Sequence, residues 1–118
     1  MTNYCFVLPF LPGGIDLAKK FAQENGGSNK EHDEFYKSAG ISREQVWIQR
    51  SPPGSGSPDL EIVSIETNDP GQTFKEFATS NHPWAIKFRE FAKSAYGIDF
   101  IGPPPPLNEN IVDWQQSQ

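Results

Sequence analysis

Two side chains that can exchange protons, His32 and Tyr36, lie four positions apart in a segment with helical patterning. Residues at this spacing share one face of an α-helix, and here the face also carries Phe35 and Ala39. An imidazole titrates near neutral pH and a phenol donates hydrogen bonds, so the pair could act as acid, base or orienting groups for a ligand. The alternative is that both rings pack at the edge of the core with their polar tips in water.

An internal repeat distinguishes this pair from other helix residues. Residues 19–39 and 75–95 align without a gap at an offset of 56 and share nine identities in 21 positions. The alignment places His32 opposite Phe88 and Tyr36 opposite Ala92. The first copy thus has polar rings where the second has hydrocarbon. If the chain has a site, the repeat predicts that it lies beneath the helix of the first copy.

A second candidate ligand-binding group consists of Asn81, His82 and Trp84 around Pro83, at a predicted helix start. Free backbone N–H groups at a helix N-terminus suit an anion or a carboxylate. The alternative is ordinary capping of the helix by Ser80 or Asn81.

Two further candidate ligand-binding residues, Trp47 and Arg50, lie on a predicted hairpin strand. Arg50 could hold an acidic ligand, or it could form an exposed or cross-strand ion pair. For Trp47 the alternatives to ligand binding are an interface and the core.

The sequence predicts neither a metal site nor a cofactor. Asp33 and Glu34 turn to other faces of the helix than His32, which is typical of a solvated helix surface. The chain contains no GxxxxGK[ST], GxGxxG, HExxH or CxxC motif, and it lacks the aromatic and basic signature of an RNA-recognition motif. These absences argue against nucleotide, zinc and RNA binding.

Composition narrows the classes of partner. The net charge of −5 would repel a phosphate backbone, so we expect no nucleic acid partner. The single cysteine, Cys5, excludes an intrachain disulfide and fits a reducing compartment. The apolar start lacks a basic region and is too short and proline-broken to cross a bilayer. We therefore expect a cytoplasmic protein without a membrane partner.

Hydrophobic periodicity and turn residues predict the elements that would position these side chains. Strands are expected at residues 4–10, 45–50, 60–66 and 98–101, and helical segments at 15–25, 29–39, after residue 71, and from residue 83 to 96. This order predicts an α+β, ferredoxin-like βαββαβ domain with an antiparallel sheet over residues 1–102, followed by a proline-rich tail over 103–118. Both faces of the strands are apolar, and two helices can cover only one face of such a sheet. We therefore expect a homodimer formed through the other face.

The layout resembles the dimeric α+β barrel superfamily, which includes antibiotic-biosynthesis monooxygenase-like and L-rhamnose-mutarotase-like proteins. The resemblance covers residues 4–101 and rests on the Phe6-Val7 strand start, the helix end from Glu34 to Ile41, the hairpin, and the aromatic helix from Trp84 to Phe91. It implies a dimer that holds a small ligand between sheet and helices.

Two functions follow as expectations. The first is binding of a small organic ligand, with monooxygenase-like or isomerase-like chemistry in which His32 and Tyr36 are the catalytic groups and no cofactor takes part. The second is a non-catalytic binding or assembly module that uses the sheet face, the hairpin tip and the proline-rich tail.

Overall fold

The computed structural model describes residues 2–27, 29–100 and 106–117. Within them the chain forms, in order, β1 (Thr2–Pro9), α1 (Gly14–Asn25), α2 (Lys30–Ser38), β2 (Ile41–Gln49), β3 (Leu60–Thr67), α3 (Pro70–Thr79) and α4 (Pro83–Tyr96). The protein is therefore an α+β fold with four helices and a three-stranded antiparallel sheet in the described part of the chain.

The sheet has the strand order β1–β3–β2, and both pairings are antiparallel. Val63 at the centre of β3 pairs with Phe6 on one side and Val46 on the other, so these three residues form a row on one face. Burial in β3 alternates strictly, with the odd-numbered residues from 61 to 67 buried and the even-numbered ones half-buried. One face of the sheet therefore packs against the helices, and the other is left more open to solvent.

Short polar residues set the helix starts. Asn29 caps α2 by accepting a hydrogen bond from the N–H of His32, and Asp69 caps α3 by accepting one from Gln72.

At the start of α1, Gly14 lies so close to α4 that a Cβ atom there would meet the carbonyl oxygen of Ala95. This close approach brings α1 and α4 together as the tightest helix pair of the fold.

The core consists of two adjoining clusters. One is built on Phe10 and Tyr96, whose ring centroids are 5.5 Å apart, and the other on Phe35, Phe77 and Trp84. Phe88 packs against both clusters. The two segments aligned in the sequence supply most of these residues. Residues 19–39 include the end of α1 and all of α2, and residues 75–95 include the end of α3 and most of α4.

The sequence predicts a last strand at residues 98–101, but Ile98–Phe100 form no strand, and Ile101 lies outside the described residues. Gly97 ends α4 in the left-handed conformation (φ 72°), and the chain turns so that Ile98 and Phe100 pack against the Phe10 cluster. Burial of these two apolar side chains thus replaces strand pairing over these residues. The predicted domain boundary at residue 102 also lies outside the described residues.

The outer edge of β1 is contacted by the tail. The backbone N–H of Asn108 donates to the Tyr4 hydroxyl (2.6 Å), and its side-chain amide donates to the carbonyl of Cys5 (3.0 Å). Residues 106–117 are exposed and contain neither helix nor strand. None of the helices in the described ranges is long and apolar enough to cross a membrane.

Candidate functional site

A cavity of about 290 Å³ lies between the sheet and the helices. All seven elements contribute to its wall, which is mainly apolar and rich in aromatic rings. Its largest side chains include Phe21, Phe77, Trp84, Phe88 and Phe91. The volume lies at the lower end of the range for small-molecule sites, so the cavity suits a compact ligand.

Two phenol–carboxylate pairs lie within this wall. The Tyr36 hydroxyl donates to the carboxylate of Glu44, at 2.9 Å from Oε1 and 2.8 Å from Oε2. The Tyr96 hydroxyl donates to Oε2 of Glu61. All four side chains line the cavity. A hydrogen bond to a carboxylate is stronger than one between neutral groups, so each pair fixes the orientation of both partners.

The backbone places the two pairs at opposite ends of the cavity. Glu44 pairs with Ile65 across the β2–β3 ladder, and Glu61 pairs with Ile48. The two carboxylates thus lie four residues apart along the sheet, or about 14 Å between backbone positions at ~3.4 Å per residue. The Tyr36–Glu44 pair also faces an outer groove that carries Lys37 and Arg43, whereas Tyr96 and Glu61 do not line that groove. Tyr36–Glu44 marks the mouth of the cavity and Tyr96–Glu61 its inner end.

Burial dominates the electrostatics of both pairs. Removal from water raises the pKa of Glu44 and of Glu61 above the ordinary value, and hydrogen bonds from Tyr36 and Tyr96 partly oppose this effect. The pKa of Glu61 is raised further by the negative charge of Glu44, whereas the nearby His32 lowers that of Glu44. Burial, followed by the adjacent carboxylate, raises the pKa of each tyrosine as well.

The structure brings His32 and Tyr36 together. Their rings stack with centroids 3.9 Å apart, and both side chains line the cavity. The His32 side chain is 16% exposed, and its Nδ1 lies 3.0 Å from a carboxylate oxygen of Asp33. Helical spacing therefore predicts the position of this pair correctly, while its catalytic role stays a prediction.

Of the three candidate residues at the start of α4, Trp84 lines the cavity, whereas His82 and Asn81 do not. Trp84 is 3% exposed, lines the cavity, and donates its indole N–H to the carbonyl of Asn25 at 2.8 Å. His82 is the N-cap of α4, because its Nδ1 accepts the N–H of Trp84 at 3.1 Å. The alternative of a cap at Ser80 or Asn81 is therefore wrong. Asn81 is exposed and does not line the cavity.

The two hairpin candidates do not lie at the cavity. Trp47 lies on the face of β2 that points away from the helices and is 50% exposed, so its assignment to the core is wrong. Arg50 is exposed and follows the end of β2. Neither side chain lines the cavity that contains His32 and Tyr36.

Sequence reasoning missed three residues of the site, namely Glu44, Glu61 and Tyr96. A strict count of alternation could have found the two carboxylates. Glu44, Val46 and Ile48 occupy alternate positions of β2, as do Glu61, Val63 and Ile65 in β3, and side chains at such spacing face the same side. A carboxylate in phase with a buried apolar series is the informative pattern.

Within the ranges that the structure describes, no group of three or more His, Cys, Asp or Glu side chains is placed to hold a metal ion. Comparison of the chain with protein-family models, with curated proteins and with solved structures gives no match. The candidate site is therefore defined by its own geometry.

Proposed function

We propose that the protein binds a small, mainly apolar organic molecule in the cavity and moves protons on it through the two phenol–carboxylate pairs. The observation that carries this proposal is the location of Tyr36–Glu44 and Tyr96–Glu61 within an otherwise apolar wall. Ionisable groups with raised pKa values in a pocket are typical of general acids and bases.

An isomerase-like reaction fits this arrangement. One carboxylate takes a proton from a carbon or oxygen atom of the ligand, and a neutral acid returns a proton to another atom, so no atoms are gained or lost. Burial keeps Glu44 and Glu61 more basic than ordinary carboxylates, which favours proton abstraction once they are ionised. His32 stacks on Tyr36 and serves as an orienting group at the mouth.

Binding can be tested through the fluorescence of Trp84. The chain has three tryptophans, of which Trp47 and Trp114 are exposed, so replacing these two with Phe leaves a single reporter in the cavity wall. We expect compounds with one apolar ring to change its emission in a saturable way. A panel of such compounds that leaves both the emission and the melting temperature unchanged would contradict the proposal.

Proton transfer needs its own test. Compounds that bind are incubated with the protein in heavy water, and proton NMR follows loss of their C–H signals. We expect the loss to require the protein and to slow in the Glu61→Gln and Glu44→Gln variants. Glu66→Gln is the matched control, since Glu66 lies on β3 but on the opposite face. Equal rates in all variants would overturn the catalytic role of both carboxylates.

An assembly function is the second candidate, and the outer face of the sheet favours it. Val7, Ile62 and Trp47 form one row across this face, and Val7 and Trp47 are about half exposed. Exposed contiguous apolar surface is typical of interfaces. We propose that two copies pack through this face, as in a dimeric α+β barrel.

The ferredoxin-like layout is part of the same proposal. In the described sheet, β3 lies between β1 and β2, the two strands that α1 and α2 connect. This arrangement supports a split βαβ unit, which is half of the ferredoxin-like fold. In the exposed tail, Ile111, Val112 and Trp114 offer further apolar surface for assembly.

A further inference from the structure

Apart from Lys19 and His32, the side chains of the cavity wall that can donate hydrogen bonds already do so within the protein. The single hydroxyl hydrogen of Tyr36 goes to Glu44, that of Tyr96 to Glu61, and the indole N–H of Trp84 to a backbone carbonyl. The hydroxyl of Thr73, which also lines the cavity, donates to the carbonyl of Ala39. A ligand can therefore obtain few hydrogen bonds here by accepting them.

Hydrogen-bond acceptors, in contrast, remain available. An ionised carboxylate offers roughly four acceptor positions, and the phenol bonds of Glu44 and Glu61 use only part of them. The polar surface of the cavity is thus matched by a molecule that brings its own N–H or O–H donors.

The two carboxylates, Glu44 and Glu61, differ in the charged groups that surround them. Glu44 at the mouth faces Tyr36 and has His32 on α2 nearby, and the adjoining outer groove carries Lys37 and Arg43. Glu61 at the inner end is influenced by Tyr96 on α4 and by Glu44 on β2, and neither of these is a cation. Lys19 on α1 also borders the cavity, but it belongs to an exposed part of the helix. Among the described residues, the groups that act on Glu61 thus include no basic side chain, whereas His32 acts on Glu44.

Aromatic rings line the same space. Trp84 and Phe88 stack with centroids 5.5 Å apart, and Phe21 and Phe91 stack at 4.4 Å, all within the cavity wall. The face of an aromatic ring attracts a cation, most strongly where water is excluded. The apolar part of the wall therefore also favours a positively charged ligand over a negatively charged one.

We infer that the cavity binds an organic ammonium ion, a primary or secondary amine attached to an apolar body of one ring, with its N–H groups directed to Glu61. The apolar body lies among the aromatic rings, and the ammonium group compensates Glu61, on which no basic side chain of the described residues acts. This inference rests on the proposed function, whose ligand class it specifies.

Three probes of nearly equal shape test the assignment: 2-phenylethylamine, 2-phenylethanol and phenylacetate, which are a cation, a neutral alcohol and an anion at neutral pH. Their affinities are measured by calorimetry and by the emission of Trp84. We expect the amine to bind at least about tenfold more tightly than the alcohol, and phenylacetate to bind most weakly. An alcohol or an anion that binds as tightly as the amine overturns the ammonium assignment and leaves the proposed apolar site standing. If none of the three binds, both fail.

Two variants locate the ammonium group. Glu61→Gln removes the charge at nearly constant shape, so the affinity for the amine should fall at least about fivefold and that for the alcohol should fall clearly less. Glu66→Gln, on the outer face of the same strand, should change neither affinity. An equal effect of the two substitutions would overturn the role of Glu61.

The wild-type protein offers a test that does not depend on the folding of a variant. Because Glu61 must be ionised to hold an ammonium group and its pKa is raised, affinity for the amine should rise as the pH increases above 4.5, the ordinary glutamate pKa, whereas affinity for the alcohol should change less. Identical pH profiles for the two probes would overturn the assignment.

Discussion

The Tyr96 hydroxyl donates a hydrogen bond to Glu61 and thereby joins the last turn of α4 to the central strand β3. Both residues are buried, and both line the cavity. The contact is therefore a structural link between helix layer and sheet as well as part of the candidate site.

Tyr96→Phe should destabilise the protein by roughly 1–3 kcal/mol near neutral pH, because it leaves a buried carboxylate without its donor. Urea unfolding followed by circular dichroism measures this change. Tyr4→Phe is the matched control, since the Tyr4 hydroxyl accepts a hydrogen bond from the backbone of the exposed Asn108. The Tyr96→Phe, Glu61→Gln double variant should lose less than the sum of the single losses. Strict additivity would show that the two groups do not interact.

The stability of the protein should fall as the pH rises above 4.5, the ordinary glutamate pKa. Burial raises the pKa of Glu44 and Glu61 in the folded state, so the folded protein holds more protons than the unfolded chain between that value and the raised pKa values. Each unit of rising pH in that window therefore favours unfolding. Urea midpoints measured across the window should decline in the wild type and stay flatter in the Glu44→Gln, Glu61→Gln double variant. Parallel profiles would contradict the shifts.

His32→Phe introduces the residue found at the equivalent position of the second repeat copy. We expect the variant to fold with equal or greater stability, since a phenyl ring can keep the stacking on Tyr36 and the contact with Trp84. Ligand affinity or proton exchange should nevertheless fall, because the polar group at the mouth is lost. Asp33→Asn, which alters only the exposed partner of His32, serves as control. Raised stability together with unchanged binding would assign His32 to packing.

If the outer face of the sheet is an interface, Trp47→Glu should convert a dimer into a monomer in analytical ultracentrifugation. A charge placed within an apolar row that dimerisation would bury is strongly unfavourable. Ile86→Glu is a suitable control, because Ile86 is similarly exposed but lies on α4, on the other side of the sheet. A monomeric wild-type protein would overturn the dimer proposal.

Local patterns in the sequence predict most of the fold. The spacing of Phe88, Phe91 and Ala92 defines α4, and the β-branched run from Leu60 defines β3, because helices and strands bury one face with a fixed period. The strand predicted at residues 98–101 has the same local pattern, but Ile98 and Phe100 pack on the core. The conformation of Ile98–Phe100 depends on contacts with residues distant in the chain, and local propensity does not describe such contacts.

The candidate site also contains residues whose proximity the sequence predicts and residues whose proximity it does not predict. His32 and Tyr36 could be placed together from one helical period, since both lie on α2. Glu61 and Tyr96 are 35 positions apart, and their hydrogen bond depends on how α4 crosses the sheet. Pairing across such a distance follows from tertiary packing, so the sequence does not show that Tyr96 meets Glu61.

Because every helix and strand contributes to the cavity wall, the unfilled volume is shared by the whole fold. Space that side chains leave unfilled forgoes packing energy, and substitutions that fill it commonly stabilise a protein. Replacing a small residue of the wall, such as Ala18, with a larger one would reduce the volume open to a ligand and stabilise the protein. A molecule that occupies this cavity would therefore stabilise the folded state of all seven elements at once.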